Sequence, residues 1–565
     1  MSDPAYPWLQ NYPNGVPHTI DTEKYSSIID LLDTCIKKYS SSVAFECMGA
    51  TLTYRQLDEQ SRHFAAYLRE VCHLKPGSRV ALQMPNLLQY PIAMLGALRA
   101  GMIVVNVNPL YTAREMKHQL QDSGAEVIVI LANFAHNLEK IVADLPLKHV
   151  VVTEIGDLLG TLKGSIVNLV VKHVKKMVPA YNLPQATTFK KTIKQGSQHT
   201  FKSSPIQPED IAFLQYTGGT TGVAKGAVLT HANLVTNMQQ ITACTSLKLK
   251  YGNEVMITAL PLYHIYALTV NCLSMLELGA KNVLITNPRD MKAFIKELKK
   301  QPFTVITGVN TLYNALLNHP DFSTIDFSHL KVTSAGGMAV QKVVAERWQA
   351  ATGVSVTEGY GLTETSPVLT TNQVDGSERI GSIGLPVPNT RIIIADDDGN
   401  EVPYGEPGEI YAKGPQVMRE YWNRPDETKQ VFTDDGWFKT GDVGVMGEDG
   451  FIKIVDRKKE MINVSGFNVY PNEIEEVVSA HAKVLEVGAI GVPNERSTEV
   501  VKVFVVKKDE SLTEEELIAY CRENMTAYKV PKMVEFTTEL PKSNVGKILR
   551  RLLREQEAAP VPSPS

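Results

Sequence analysis

The sequence has no two cysteines spaced as in a CxxC motif, and its six cysteines are scattered along 565 residues. This pattern provides no zinc-binding framework and is typical of a protein from a reducing compartment. The sequence also lacks an excess of basic residues, because 57 Lys and Arg stand against 61 Asp and Glu, for a net charge of −4. Since nucleic-acid-binding proteins usually carry a basic excess, we expect no nucleic-acid partner.

No secretory signal is expected, because the N-terminal stretch MSDPAYPWLQNYPNG has no basic segment followed by an apolar one. We therefore expect a cytoplasmic location. Residues 255–276 could be mistaken for a membrane span, since they contain no Asp, Glu, Lys or Arg and are numerous enough to cross a bilayer. Pro261 interrupts this stretch, and His264 and Asn271 add polar groups. We predict a buried strand, a loop and a buried helix instead.

Strand-like and helical patterns alternate up to Gly381. Short β-branched runs such as Arg79–Gln83 and Val127–Leu131 are followed by segments with apolar residues at helical spacing, such as 86–101. This alternation predicts an α/β protein with parallel sheets covered by helices. From Gly381 onward, shorter strands separated by Gly-rich turns predict a smaller antiparallel region.

The charged sequence Asp456-Arg457-Lys458-Lys459 predicts a boundary between two parts of the chain. We predict an N-terminal domain over residues 1–455 and a small α+β C-terminal domain over residues 456–557. Residues 558–565 are rich in Pro, Ser and Ala, and we expect them to form a disordered tail.

Residues 164–179, GSIVNLVVKHVKKMVP, combine apolar side chains with Lys172, Lys175 and Lys176. An amphipathic basic segment of this kind is typical of helices that lie on an anionic membrane surface. A solvated helix edge packed on the protein core explains the pattern equally well. Both interpretations stay open on the sequence alone.

Residues 216–226, YTGGTTGVAKG, follow an apolar strand-like run. Glycines let a backbone come close to a ligand, and amide groups, hydroxyls and an ammonium group suit phosphate oxygens. The motif is not a Walker A loop, which has Ser or Thr after its lysine, because Gly226 follows Lys225 here. The sequence therefore predicts a polyphosphate-binding loop, and a flexible turn with surface threonines is the weaker alternative.

Other motifs carry weaker signals when taken singly. EGYGLTET (358–365) offers an aromatic ring for a purine and a carboxylate for Mg²⁺. TGD (440–442) offers a carboxylate for ribose hydroxyls, and PKSNVGK (541–547) offers a lysine on a tight loop. TGD or GK alone is usually a turn, and His264 alone is more often a hydrogen-bonded core residue.

In this order and spacing, the motifs resemble those of the acyl-adenylate-forming superfamily, which includes acyl-CoA synthetases, luciferases and peptide-synthetase adenylation domains. The resemblance covers essentially the whole chain and is strongest to bacterial long-chain fatty acyl-CoA synthetases of the FadD type. The segments that carry it are YTGGTTGVAKGA, PLYHIYALTVN, ITGVNTLYNALL, EGYGLTET, GSIGLPVP, KGPQVM, TGDVGVM, VDRKKEMINVSGFNVYPNEIE and LPKSNVGKILRR.

The resemblance implies a large N-terminal domain of two αβ sheets plus a small β-barrel-like region, and a small mobile C-terminal domain hinged at about Asp456. It implies a two-step reaction in which ATP activates a long-chain fatty acid to acyl-AMP with release of pyrophosphate, and coenzyme A then takes the acyl group. Two alternatives stay open: an adenylating enzyme that loads a separate carrier protein, and an acyl-CoA synthetase for another chain length. A fatty-acid uptake protein without turnover is disfavoured, since mere binding needs no phosphate chemistry.

The resemblance makes Lys547 the adenylation lysine and gives catalytic roles to His264, Thr217 and Glu364, of which Thr217 and Glu364 are expected to hold Mg²⁺. The implied ligands are ATP, Mg²⁺, coenzyme A and a fatty acid. Two further partners stay open: an anionic membrane surface, at the cytoplasmic face of the inner membrane, and a second copy of the chain in a homodimer. The residues carried over as binding the nucleotide or coenzyme A are Tyr216, Thr217, Gly218, Gly219, Thr220, Thr221, Gly222, Lys225, Gly336, Gly337, Glu358, Gly359, Tyr360, Gly361, Thr363, Asp442, Arg457, Lys459 and Gly466.

The resemblance also implies where the acyl chain and coenzyme A bind. The aliphatic runs 267–276 and 309–317 are expected to line the acyl tunnel. Gly466 is expected to let the pantetheine chain pass, with Glu499 in the same cluster. Asn468 departs from the pattern, since some long-chain relatives have an aromatic residue there beside the adenine.

Overall fold

A computed structural model of the chain describes residues 6–203, 205–217, 224–465, 467–494, 497–543 and 546–558. The fold is mixed α/β, as the strand–helix alternation predicts. The α-helices of the described residues are Ile28–Tyr39, Tyr54–Ala66, Gln89–Arg99, Ala113–Ser123, Ala135–Glu139, Thr161–Leu169, Phe189–Gly196, His231–Thr245, Ser274–Glu277, Met291–Leu298, Asn310–Leu317, Lys342–Thr352, Pro425–Val431, Pro471–Ser479, Glu514–Asn524 and Arg550–Ala558.

A seven-stranded sheet contains the strands predicted at Arg79–Gln83 and Val127–Leu131. Its pairs are parallel except at one edge, where a hairpin brings Ile211–Thr217 antiparallel to Lys225–Thr230. The spatial order is Thr187–Thr188, His149–Thr153, Val127–Leu131, Arg79–Gln83, Ile103–Asn106, Ile211–Thr217 and Lys225–Thr230.

A nine-stranded sheet forms the second large layer. Its central strand pairs are parallel, and the strand pairs at both edges are antiparallel. The spatial order is Leu385–Pro386, Val368–Thr371, Val356–Gly361, Val332–Ala335, Val305–Gly308, Val255–Thr258, Lys281–Leu284, Val43–Cys47 and Ala50–Thr53.

Helix Gln89–Arg99 lies in the core that joins the two large sheets. Every residue of this helix is buried, as expected for a helix that contacts protein on all sides. Most of its residues belong to one hydrophobic cluster with Phe45 of the nine-stranded sheet and Val129 of the seven-stranded sheet. The shared core fixes the two sheets relative to each other.

The region predicted to be barrel-like is an open antiparallel sheet of four strands. Its edge strands do not pair with each other within the described residues, so no barrel closes. The order is Arg391–Ala395, Pro407–Lys413, Phe438–Met446 and Ile452–Arg457. The last strand runs through the boundary predicted at Asp456.

The C-terminal region has its own sheet and core, as an α+β domain should. The core joins helix residue Ile474 to strand residues such as Val503. Nearly all of the predicted disordered tail, residues 559–565, lies outside the described residues. The strands of this sheet are Ile462–Val464, Phe467–Val469, Val484–Asn494, Thr498–Lys507 and Met533–Thr537.

The apolar stretch 255–276 forms a strand, a loop and a buried helical segment, as predicted. Val255–Thr258 is a strand, and a helical segment begins at Ala267 and ends at Glu277. Across the described ranges, no helix combines the length and the apolar character needed to cross a bilayer.

Candidate active site

A cavity of about 760 Å³ opens where the two large sheets, the four-stranded sheet and the C-terminal region meet. Strands Val332–Ala335 and Val356–Gly361 reach it with their carboxyl ends, where α/β proteins usually bind ligands. Most residues assigned from the sequence line it: Thr217, Lys225, His264, Gly336, Gly337, Gly359, Tyr360, Gly361, Thr363, Glu364, Asp442, Arg457, Lys459 and Lys547.

Two assigned residues, Tyr216 and Glu358, form hydrogen bonds with residues that do not line the cavity. The Tyr216 hydroxyl donates to Oδ2 of Asp122 at 2.6 Å. Oε2 of Glu358 accepts from the N–H of Val340 at 3.1 Å, and burial raises the pKa of this carboxyl to about 7. The assigned residues Gly218, Gly219, Thr220, Thr221, Gly222 and Gly466 lie outside the described residues.

Lys225 is held in place at the end of the hairpin that carries the predicted phosphate loop. Thr217 and Lys225 face each other as register partners across this hairpin. The Lys225 ammonium forms an ion pair with Glu427 and lies 5.3 Å from the centre of the Tyr421 ring. A carboxylate and an aromatic face both favour a cation, so the lysine ammonium is held in a defined position.

Asp442 is buried and is the centre of a hydrogen-bonded trio. Its Oδ2 accepts from the Tyr360 hydroxyl at 2.7 Å, and its Oδ1 lies 3.1 Å from Nε of Arg457. Asp442 and Arg457 are register partners on adjacent strands, so the backbone pairing itself brings them together. The charge of Asp442 raises the pKa of Arg457. A fixed carboxylate of this kind is suited to accept hydrogen bonds from a vicinal diol such as ribose.

Glu364 is buried in the cavity wall and shares a hydrogen bond with Tyr421. The Tyr421 hydroxyl donates to its Oε1 at 2.6 Å, and burial raises the pKa of the carboxyl. Thr217 lines the same cavity.

These two residues fit a magnesium ion that is bound mainly through substrate phosphates. Within the described ranges, no three His, Cys, Asp or Glu side chains cluster as a metal cage. Mg²⁺ commonly binds through one or two carboxylates together with phosphate oxygens and water. The donor set of one carboxylate and one hydroxyl suits that arrangement.

Lys547 reaches the cavity from the C-terminal region and lies near His264. Burial lowers the pKa of Lys547 to about 8, and the Arg457 guanidinium adds to this effect. Burial also lowers the pKa of His264 to about 4, with the Lys547 charge as the second cause. At neutral pH the pair therefore presents one cation beside a neutral imidazole.

Gly546 brings the Lys547 backbone into contact with helix Asn310–Leu317. The hydroxyl of Thr311 donates to the carbonyl oxygen of Gly546 at 3.1 Å. Gly546 has φ +82°, and a Cβ there would lie 2.6 Å from Oγ1 of Thr311. A side chain would disturb both the turn and the contact, so glycine is needed for this close approach.

The cavity continues into an apolar arm beside helix His231–Thr245. Of the two runs predicted to line a tunnel, 267–276 contributes to the arm, whereas 309–317 contributes none of the lining side chains. Tyr313 and Leu316 of the second run pack in a separate core behind the nine-stranded sheet. The apolar residues lining the arm include Ile241, Cys244, Leu249, Met256, Val270, Met275, Val305, Val332 and Val374.

Sequence reasoning missed several residues that support the site. Tyr421 and Glu427 follow the KGPQVM motif, and Asp122 comes from a distant helix end. Asp122 accepts from Tyr216 and also lies 3.1 Å from the Arg424 guanidinium. No local motif marks these positions, because their partners are distant in sequence.

The chain belongs to the AMP-binding enzyme family: residues 32–422 match that family, and residues 473–547 match the AMP-binding enzyme C-terminal domain. The family recognised from the motifs is therefore confirmed.

Several curated relatives of the chain carry the name long-chain-fatty-acid–CoA ligase. The relative from Escherichia coli O6:H1 is 58% identical over 549 residues, covering 97% of this chain and 98% of that protein. The relative from Haemophilus influenzae is 55% identical over 557 residues, covering 98% and 99%. A solved anthranilate CoA ligase, AuaEII in complex with anthranoyl-AMP, has a TM-score of 0.84 at 26% identity and covers 95% of this chain and 99% of its own. The predicted fold class is confirmed by this likeness.

Proposed function

We propose that this chain is an AMP-forming long-chain fatty acid:CoA ligase. The observation that carries the proposal is the continuous cavity, whose polar wall of Asp442, Arg457 and Lys547 leads into an apolar arm. A reaction that joins a fatty carboxylate to a nucleotide needs these two environments in contact. The shared name of the curated relatives supports the same substrates.

In the first step, a carboxylate oxygen of the fatty acid attacks the α-phosphorus of ATP, and the bond from that phosphorus to pyrophosphate breaks. Both reactants are anions, so catalysis depends on positive charge and in-line positioning. Lys547 bridges the carboxylate and the α-phosphate. Lys225 and the loop that begins at Thr217 hold the leaving pyrophosphate, and Thr363 reaches the α-phosphate.

The AMP part of the substrate binds along the polar wall. Asp442 and Arg457 hold the ribose, Tyr360 and the Gly336-Gly337 turn border the adenine and acyl-phosphate ends, and Lys459 supports the nucleotide. Thr217 and Glu364 are the residues that would hold Mg²⁺, which neutralises phosphate charge when bound.

In the second step, the sulfur of coenzyme A attacks the acyl carbon, the thiol proton is released, and AMP leaves. Lys547 has no role in this step and blocks part of the cavity. We propose that the C-terminal domain turns at about Asp456, which brings Gly466 and Glu499 to the pantetheine chain. His264 stays beside the acyl carboxylate as a neutral hydrogen-bonding group, since its pKa is lowered to about 4.

The activity is tested by incubating the protein with ATP, Mg²⁺, coenzyme A and fatty acids from C2 to C20, and by following the nucleotide product. AMP is expected, with kcat/KM rising about fourfold for each methylene that the arm buries, from about 0.8 kcal/mol per methylene. ADP as the product would contradict the adenylate mechanism. An optimum at C2–C4 would contradict the long-chain preference, and acyl-AMP that reacts with a carrier protein but not with coenzyme A would favour the carrier-loading alternative.

A membrane surface is the second partner that we propose, and the segment 161–177 is the part that contacts it. Helix Thr161–Leu169 continues as a helical turn to Val174. It meets the protein at Gly164, where a Cβ would lie 2.2 Å from the carbonyl oxygen of Gly156. Five apolar side chains of the segment 161–177 are 50 to 77% exposed, beside three exposed lysines: Leu162, Ile166, Leu169, Val174, Met177, Lys172, Lys175 and Lys176.

Sedimentation with liposomes tests this surface. The protein is expected to bind vesicles that contain anionic lipid better than neutral ones, because apolar burial and lysine charge act together. The triple change Leu162→Ser, Ile166→Ser and Leu169→Ser should abolish binding, and Leu110→Ser, at a residue that is 55% exposed elsewhere, should leave it intact. Vesicle binding that is the same with neutral and anionic lipid, and the same in the wild type and the triple variant, would contradict the proposal.

A further inference from the structure

Arg550 is a buried cation that the catalytic assignment does not use. It is the first residue of helix Arg550–Ala558 and lies three residues after Lys547. Its side chain is 10% exposed, although an arginine normally stays in water unless it is paired. Its burial therefore needs a specific set of partners.

Three carboxylates surround the Arg550 guanidinium. Nε and Nη2 donate to the two oxygens of Glu475 at 2.8 and 2.7 Å, which is the bidentate geometry that only arginine provides. Nη1 donates to Glu460 at 2.7 Å and to Asp456 at 3.2 Å. Burial alone would lower the pKa of Arg550, but the carboxylates outweigh it and raise the pKa.

These carboxylates belong to different parts of the molecule. Asp456 lies in the last strand of the four-stranded sheet, where its backbone pairs with Val443 beside the Asp442–Arg457 pair. Glu475 lies in helix Pro471–Ser479 of the C-terminal region. Asp456 also accepts from the N–H of Asn472 at 2.8 Å. Arg550 thus connects the segment that carries Lys547 to the sheet that carries the predicted ribose site.

The Asp456 carboxylate is stabilised mainly by Arg550, with smaller contributions from the N–H groups of Asn472 and Arg457. It is 1% exposed, and burial raises its pKa while the charge of Arg550 opposes this. Without the guanidinium, Asp456, Glu460 and Glu475 would repel one another in a poorly hydrated site. The cluster is therefore complete only when the segment around residue 550 is docked against the sheet.

The Lys547 segment is also fixed from the opposite side, by the hydrogen bond from Thr311 to Gly546. This hydrogen bond fixes Gly546, which precedes the lysine, to the N-terminal domain. The Arg550 cluster fixes the residues that follow the lysine. A long flexible side chain such as lysine is positioned well only if its backbone is held.

We propose that Arg550 is a positioning residue for the adenylation step, which holds Lys547 in the cavity by binding Asp456, Glu460 and Glu475 together. The proposal rests on the adenylation role proposed above for Lys547. It assigns Arg550 no contact with the substrate. Loss of the cluster should let the C-terminal segment leave the docked position and so slow the step that needs Lys547.

The two half-reactions separate this role from a merely structural one. In Arg550→Gln, acyl-AMP formation, followed by pyrophosphate exchange into ATP, is expected to slow by about 10²-fold, the loss typical of a misplaced catalytic group. Thioester formation from supplied acyl-AMP is expected to stay near the wild-type rate, since Lys547 takes no part in it. Arg550→Lys keeps the charge without the fork and should restore part of the first rate.

Arg551→Gln is the matched control. Arg551 is the next residue, its side chain is 62% exposed and it pairs only with Glu555 of its own helix among the contacts described. Both half-reactions should be unchanged in this variant. Thermal unfolding is measured for the wild type, Arg550→Gln, Arg550→Lys and Arg551→Gln. The two half-reactions are also measured for Lys547→Ala.

Equal loss of both half-reactions in Arg550→Gln, with a lowered unfolding midpoint, would overturn the proposal, and so would full activity in both. If Lys547→Ala loses acyl-AMP formation while Arg550→Gln does not, only the role of Arg550 is wrong. If Lys547→Ala itself retains acyl-AMP formation, the role proposed for the lysine fails and that of Arg550 fails with it.

Discussion

Replacing Lys547 by alanine is expected to slow acyl-AMP formation by about 10²–10³-fold, the loss typical of removing one positioned donor from a transition state. Lys547 is the buried ammonium at the point where the polar wall meets His264. Without it, the two anionic reactants meet with less positive charge between them. Pyrophosphate exchange into ATP in the presence of fatty acid measures this half-reaction.

Thioester formation from supplied acyl-AMP and coenzyme A should remain close to the wild-type rate in the same variant. Lys542→Ala is the matched control, because Lys542 lies on the same loop but pairs with Glu486 at 2.6 Å. An equal loss of both half-reactions in Lys547→Ala would contradict the role assigned to the lysine.

The pH profile provides a second readout for Lys547. Burial lowers its pKa to about 8, so the lysine loses its charge as pH rises through that value, and kcat/KM for adenylation should fall there because it reports the free enzyme. The groups that face Lys547 are Arg457, Asp442, Glu460 and Arg550, together with neutral His264. Any activity left in Lys547→Arg should lack this alkaline decline, since arginine stays protonated.

Replacing Asp442 by asparagine is expected to lower kcat/KM for ATP by about 10–100-fold, from about 1.5–3 kcal/mol for a hydrogen bond to a charged group. The change removes the charge that fixes Arg457 and leaves an amide where Tyr360 donates and where ribose hydroxyls are expected to donate. KM for ATP should rise more than kcat falls, because the ribose keeps the same contacts through the reaction.

Asp449→Asn is the control for this variant, since Asp449 is a surface carboxylate of the same sheet region that pairs with Arg379. It should leave KM for ATP unchanged. Equal KM values for ATP in Asp442→Asn and the wild type would show that Asp442 does not bind the nucleotide.

The fold could be predicted from the sequence wherever one pattern decided the structure. Arg79–Gln83 and Val127–Leu131 were predicted with the bounds that the structure has, because buried parallel strands are short β-branched runs. The barrel-like region was predicted from resemblance, and its closure depends on pairing between distant strands, which no local pattern encodes. The strand Ile452–Arg457 likewise runs through Asp456, where the charged residues predicted a boundary, and ends one residue later.

The site could be predicted in its motif residues but not in its supporting contacts. Asp442, Glu364 and Lys547 lie in recognisable motifs, and all three line the cavity. Tyr421 and Glu427 lie outside these motifs, and Arg550 lies within LPKSNVGKILRR but received no role from it. The importance of all three comes from partners that folding brings near. The run 309–317 shows the opposite error, because aliphatic residues fill a hydrophobic core and line a tunnel equally well.

Cys244 in the wall of the apolar arm has a consequence for the chemistry that takes place there. An acyl-adenylate reacts readily with thiolates, and a reactive cysteine beside it would become acylated in place of coenzyme A. Burial raises the pKa of the Cys244 thiol to about 12, so it stays protonated and a poor nucleophile at neutral pH. The apolar surroundings that we propose for the acyl chain would thus also protect the enzyme from modifying itself.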